Sequence, residues 1–414
     1  MSDIEGTINS YEAVCKITNS KPHEHIMRVL KKEKEVIEMT KEEGLEDRDK
    51  MYLDLAGNKH LMNDKRFTDD DMEVLYKTLK NNTYVTTLDL RYNEVTDKGA
   101  QWLAKLIEET PALIELNVMC NNIEGDGGEH LAAALHKNET LRILRLNGNK
   151  MGNKGGMCFA QALQISTTLE ALDLGDTDMK TESIVALAAV LHYNRTLKAL
   201  NINRPLLFTQ QEEPTNHFAR MLKVNKTLEE LHMQKYDMRD FGATMLAEQL
   251  KHNFHLTYLN LSCNRITRDG TKELAKLLKE NTPLKVLDLG FNRLENDGAK
   301  YLAEALGTYN VNLTTLVIGS NNIEGEGLCA IADCMKINNS LTNVYIWGNI
   351  LEESACIAFA NLIETGRLKK ENTDVQPYVV DGVTSLCELN HHIRRQYYYT
   401  HTFGGDVSKK TIRT

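Results

Sequence analysis

Two histidine clusters, His23-Glu24-His25 and His391-His392, are the nearest this chain comes to a metal or proton-transfer centre. Zinc requires three or four converging N, S or O ligands. Neither cluster has a third ligand at suitable spacing, and no His-Glu-x-x-His or Cys-x-x-Cys occurs, so both read as solvated histidines. The run Gly148-Asn-Lys-Met-Gly152-Asn-Lys-Gly-Gly reads as turn glycine, not a phosphate cradle. No Ser/His/Asp or Cys/His set can be assembled from spacing. The expectation is therefore a non-enzyme with no cofactor, no metal and no small-molecule substrate. What the side chains can do is recognise another molecule, and that depends on what positions them.

The positioning element is a repeat. Its pattern is Leu-x-x-Leu-x-Leu-x-x-Asn, clearest at Leu141, Leu144, Leu146 and Asn149 and again at Leu284, Leu287, Leu289 and Asn292. The Asn position or its equivalent recurs at Asn58, Asn93, Asn121, Asn149, Thr177, Pro205, Tyr236, Asn264, Asn292, Asn321 and Asn349, mostly 28 residues apart. The Leu-x-Leu centre alternates as a short strand with one buried face. The Asn can bond backbone groups where the strand turns, forming a ladder between stacked copies. The other half of each copy reads as a helix, as in Leu131, Ala132 and Leu135. Cys158, Cys329, Cys334 and Cys356 fall in those helical halves as small core residues, while Cys120 and Cys263 precede ladder positions. Asn-x-Thr sequons at Asn138, Asn194 and Asn225 arise from the helix-to-strand connector and are expected to be unmodified.

A 28-residue unit with a full helix resembles the long leucine-rich repeat of the ribonuclease inhibitor and the Ran GTPase activator. The resemblance covers residues 50–368. It implies an α/β leucine-rich-repeat solenoid of about eleven repeats, a curved horseshoe with a parallel sheet on its concave face and helices on its convex face. Three departures narrow the match. The sixth copy, Leu200-Asn-Ile202-Asn-Arg204-Pro205, puts proline at the ladder position and carries an insertion before Pro214. The tenth reads Ser320-Asn321-Asn322-Ile323-Glu324-Gly325-Glu326-Gly327, and the eleventh Val344-Tyr345-Ile346-Trp347-Gly348-Asn349. After the array come Asn372-Thr373-Asp374-Val375 and Pro377-Tyr378-Val379-Val380-Asp381-Gly382. Together these resemble the family of leucine-rich-repeat-containing protein thirty-four. That likeness implies a non-enzyme associated with germ and stem cells, in cytoplasmic and nuclear or nucleolar pools.

Residues 1–49 lack the repeat. His23 to Glu43, with Ile26, Met27, Val29, Leu30, Val36, Ile37 and Met39 among charges, predicts an amphipathic helix that caps the first repeat. Residues 369–414 are expected to be a C-terminal capping segment, with a strand at Tyr378 to Val380, a helix from Leu386 to Tyr399 and a disordered end from Gly404. The formal charge of −9 argues against a phosphate-tracking nucleic-acid binder. No apolar run approaches the ~20 residues of a membrane span. The N-terminus carries neither a basic nor an apolar stretch, so an intracellular protein is expected.

The informative surface is the inner sheet face. Its central column runs Asp54, Asp89, Asn117, Arg145, Asp173, Asn201, His232, Asn260, Asp288, Val317 and Tyr345. The early copies are polar, with basic points at Arg91, Arg145, Arg204 and Lys235. The last copies turn apolar, with Tyr258, Phe291, Tyr345 and Trp347 beside hollows expected at Gly290 and Gly319. Those eight residues are the candidate partner-binding set. Either a partner or the chain's own tail, through Tyr378 to Val380 or Tyr397 to Tyr399, would cover the aromatic patch. The function expected is a non-catalytic scaffold that holds a protein partner on the concave face, without direct nucleic-acid or membrane binding. Alternatives are a structural part of the ciliary or sperm axoneme and a small-GTPase activator of the Ran-activator type. Against the activator, that family's tail is strongly acidic, whereas residues 369–414 hold seven Lys/Arg and five Asp/Glu. Ribonuclease inhibition would call for far more than eight cysteines.

Overall fold

A computed structural model describes residues 3–42, 50–59, 65–207 and 212–389. Eleven short parallel strands follow one another in chain order, each joined to the next through a helix. This is the leucine-rich-repeat solenoid that the repeat predicts. The chain divides into two compact units between Val190 and Leu191.

The first unit opens with α1 (Ile4–Ile17) and α2 (Glu24–Glu42). It continues through β1 (Met51–Asp54), α3 (Asp69–Leu79), β2 (Val85–Asp89), α4 (Asp97–Glu109), β3 (Glu115–Asn117), α5 (Gly125–Ala134), β4 (Ile143–Arg145), α6 (Gly152–Ile165) and β5 (Ala171–Asp173), with α7 (Thr181–Leu191) at its end. The second unit runs β6 (Ala199–Asn201), α8 (Glu213–Val224), β7 (Glu230–His232), α9 (Asp240–Leu250), β8 (Tyr258–Asn260), α10 (Arg268–Lys279), β9 (Val286–Asp288), α11 (Glu295–Thr308), β10 (Thr315–Val317), α12 (Gly325–Ile337), β11 (Asn343–Tyr345) and α13 (Glu353–Glu364). A 3-10 turn at Lys370–Asn372 leads into an antiparallel hairpin of β12 (Val375–Val380) and β13 (Val383–Glu388).

Strand register is set by the leucines. Leu116 pairs with Leu144 and Leu144 with Leu172, and Leu231, Leu259 and Leu287 pair in the same way. All six are buried, each contributing about 1.5–3 kcal/mol relative to exposure. The turn after each strand is closed by the Asn ladder. The Asn149 amide donates to Val118 and Leu146 carbonyls at 2.9 and 2.7 Å, and its oxygen accepts from the Ile123 N–H at 3.1 Å. Asn121 and Asn292 repeat this geometry. Three successive copies depart from it. Thr177 keeps one bond, to the Leu174 carbonyl; Pro205 has no donor; and the buried Tyr236 hydroxyl has no hydrogen-bond partner among the described residues.

A second Asn ladder holds the connectors. Asn225 and Asn253 each accept from their own downstream N–H groups and donate to a carbonyl one repeat earlier, Leu191 and Leu222, both at 2.7 Å. The sequon Asn138 is held likewise, through the Ile107 carbonyl at 2.6 Å. Asn138, Asn194 and Asn225 are buried, which removes these three as glycan acceptors whatever the compartment.

The ends differ from simple repeats. α1 packs on α2 and α3, burying Ile4, Ile8, Tyr11 and Cys15, and α2 buries Ile26, Leu30 and Ile37 beside β1. His25 is buried, not solvated, and accepts from the Arg28 guanidinium at 2.6 Å. Burial holds its pKa down at about 4. His391 and His392 lie outside the described residues, as do Tyr397 to Tyr399 and Gly404 to Thr414. At the other end Leu386 lies in β13, so the helix expected to begin there is replaced by a hairpin turning at Asp381-Gly382, whose φ values are both positive.

Candidate functional site

Each unit presents its own inner face. In the first, Tyr52 donates to Asp89 at 2.8 Å, and the Arg91 guanidinium lies 3.3 Å from the same carboxylate. Burial raises the Asp89 pKa, and Arg91 works against that rise. Arg145 pairs with Glu115 at 2.9 Å, both side chains more than nine-tenths buried. Arg91 and Arg145 are therefore ion-pair partners within the sheet face, not the free basic points expected. The reason is strand spacing. Parallel neighbours lie about 4.8 Å apart, so long side chains at one position in successive copies flank and cover each other.

The second unit's inner face is closed by the same effect. His232 contacts the Glu230 carboxylate at 2.7 Å and packs against Tyr258 with ring centroids 4.7 Å apart. Asn203, Gln234, Ser262 and Asn260 form a continuous hydrogen-bonded row. Tyr258 is 1% exposed and Tyr345 3%, so the exposed aromatic patch expected here does not exist. Trp347 is half-buried, and its backbone N–H donates to the Asp374 carboxylate at 3.1 Å. The expected hollow at Gly319 is a close backbone approach. A Cβ there would lie 2.8 Å from the Trp347 carbonyl oxygen. Nor does the hairpin cover the face. It packs on α13, with Tyr378, Val379 and Val380 exposed.

The site that remains open is the rim of the second unit, where each strand turns before its ladder position. One residue per repeat there is left-handed: Arg204, Lys235, Cys263, Phe291 and Ser320 have φ of 55–57°. Tyr92 and Cys120 adopt the same conformation in the first unit, so this is a requirement of the turn and not strain particular to a site. It throws the side chain outward. Phe291 is 64% exposed. Lys235, Cys263, Phe291 and Arg293, with Asp237 and Arg265, line a shallow groove of about 410 Å³. Arg265 pairs with Asp237 at 2.7 Å, whereas Lys235 and Arg293 enter no ion pair among the described residues. The Cys263 thiol is pushed up by burial, against the pull of Lys235, and is not a poised nucleophile. Of the eight candidates, the structure brings Lys235 and Phe291 into this groove, places Arg204 one repeat before it, and buries Arg145, Tyr258 and Tyr345 elsewhere. Among the described residues no group of three His, Cys, Asp or Glu could hold a metal, and no helix is long and apolar enough to cross a membrane.

Two sets of residues were not read from the sequence. One is a capping ladder. Asp69 accepts from Thr96 and Gly99 N–H groups at the start of α4, and Asp240 accepts from Thr267 and Gly270 at the start of α10. An acid or Asn recurring near each helix start was the available signal. The other is Asp374, whose carboxylate takes the N–H groups of Ile346 and Trp347 at the open edge of β11, where a further strand would have accepted them. Burial raises its pKa to about 6, against these two bonds.

Known proteins share this repeat in sequence. The family model described as "Leucine Rich repeat" matches residues 81–104, 112–132, 137–160, 166–188, 252–275, 280–303 and 309–332. The protein named leucine-rich repeat-containing protein 34 of Rattus norvegicus is 55% identical over 96% of this chain and 94% of its own length. Its namesakes in Mus musculus and Homo sapiens are 50% and 55% identical, over 95% and 96% of this chain and 94% and 85% of theirs. A solved chain described as Leiomodin-1 Actin-Binding Site 2 aligns over 37% of this chain and 87% of its own, at 21% identity and a TM-score of 0.31, too weak a likeness to carry an argument.

Proposed function

The chain belongs to the leucine-rich repeat-containing protein 34 family, and from that premise we propose that it is a non-catalytic scaffold gripping a protein partner at the rim of its second unit. One observation carries this reading. Phe291 stands exposed in a groove beside the cations Lys235 and Arg293, while the inner-face side chains are bound to each other. An exposed aromatic flanked by polar groups is the usual anchor of an interface. The inner face then serves as the rigid support that fixes the rim.

By the family resemblance the setting is the cytoplasm and nucleolus of germ and stem cells. The same rim would serve in an axoneme, and imaging of the tagged chain separates the two settings. A stimulated GTP-hydrolysis assay tests the Ran-activator alternative; a clear rate increase would replace the scaffold reading. The scaffold itself is tested by proximity labelling in native tissue with the parent chain and with Lys235→Glu/Phe291→Ser. Both residues are exposed, so the variant keeps its fold and loses a defined subset of neighbours. An unchanged neighbour set removes the rim from consideration.

A further inference from the structure

The opposite edge of the second unit, where each helix returns to its strand, has a surface that the rim reading does not use. Most connectors are tied to an earlier one through a buried Asn, as Asn253 is to Leu222 and Asn338 to Leu306, both at 2.7 Å, with Thr282 standing in the Asn position of one connector. Beside these buried asparagines stand Tyr193, Val224, Phe254, Tyr309, Val311 and Ile337, each 42–84% exposed. Five of the six connectors thus carry one or two large apolar side chains along one edge, and the connector at Thr282 carries none. A set of exposed apolar side chains aligned on one edge marks a docking surface.

The charges around the row are predominantly basic. Within four residues of the connector positions 194, 225, 253, 282, 310 and 338 there are eight Lys/Arg and two Glu. Around the corresponding positions 82, 110, 138 and 166 of the first unit there are three Lys/Arg and four Glu. Helix dipoles favour cations at every helix C-terminus alike, so they do not account for the contrast. Lys223, Lys226 and Lys285 are exposed, Lys251 is half-exposed, and none of the four enters an ion pair among the described residues.

We propose that this connector edge docks an acidic polypeptide segment carrying interspersed apolar residues. Carboxylates would meet the lysines, and apolar side chains would pack between Tyr193, Val224, Phe254 and Val311. Val224, Val311 and Ile337 offer aliphatic contact and no stacking face, which favours a peptide over a single-stranded nucleic acid. Repeats advance about 5 Å in the strand layer and about 10 Å in the helix layer, so six connectors match about 8–15 extended residues.

The test uses the full chain and a fluorescein-labelled acidic peptide of about 16 residues with repeating Glu-Glu-Phe-Glu-Leu units, read by anisotropy. The expected result is saturable binding, weakened about tenfold or more by Gln in place of Glu, by high salt, by Lys223→Glu/Lys226→Glu/Lys251→Glu and by Tyr193→Ser/Phe254→Ser. All five side chains lie on the surface, so melting curves should not move. Lys235→Glu should leave binding intact. Equal binding by the charge-reversed chain, loss of binding in Lys235→Glu, or preference for phosphatidylserine vesicles or oligo-dT over the peptide would overturn the proposal.

Discussion

Replacing Asp374 by Asn should remove a step in the stability of the chain between pH 4 and 7. The Asp374 carboxyl is buried against the edge of β11, with Glu388 nearby, and its pKa is raised from 3.8 to about 6. The native state therefore holds this proton more tightly than the unfolded state does. Its contribution to stability is full below the unfolded value and is lost as pH rises through about 6. A rise of that size amounts to about 3 kcal/mol in all, of which about 2 kcal/mol falls between pH 4.5 and 7.5. Asn keeps the shape and carries no charge, so Asp374→Asn should lack the step. His25 works in the opposite sense, because its lowered pKa makes stability rise with pH above about 4. The informative quantity is thus the difference between parent and variant in denaturant titrations at each pH. A local reporter is at hand, because the Trp347 backbone donates to Asp374 and Trp347 is one of two tryptophans. In a Trp102→Phe background its emission should shift across the same pH range. A difference that is flat with pH, or one that grows as pH rises, would refute the reasoning. The second outcome would mean that the two N–H bonds outweigh burial.

Other perturbations have equally definite outcomes. Asn292→Ala orphans the buried Ile266 N–H, while the Leu261 and Leu289 carbonyls keep Asn264 and Asn321 as donors, so the chain should lose about 1–3 kcal/mol in denaturation midpoints, against about 1 kcal/mol for Thr177→Ala. Arg145→Met strands the Glu115 carboxylate in the sheet face and should cost about 3–5 kcal/mol, most of it recovered when Glu115 is also made apolar. Gly319→Ala forces a methyl against the Trp347 carbonyl and should lower stability by about 1–3 kcal/mol, read from the same denaturation midpoints.

How far the sequence carried the structure varies by feature. Strands, helices and the Asn ladder were legible because each is set by residues within one 28-residue copy, as at Leu144, Leu146 and Asn149. The fate of inner-face side chains was not, because burial there is decided by the neighbouring copy. Arg145 is covered through Glu115, 30 positions earlier, and Tyr258 through His232. The same limit hid Gly319, whose meaning lies in the approach of Trp347 from the next strand. α1 was overlooked although Asp3 caps it and Ile4, Ile8, Tyr11 and Cys15 keep helical spacing. The rim was half legible. Lys235 and Phe291 were picked out for residue type, but the groove that joins them is made by turn geometry common to every copy.

That the rim, and not the inner face, holds the partner is the claim on which the functional reading stands. A photoreactive benzoyl group carried in place of Phe291 or, separately, of Trp347 tests it most directly in extracts of native tissue. Covalent partner adducts should form from position 291 and not from 347, and should vanish with Lys235→Glu. Adducts from 347 alone would contradict the claim.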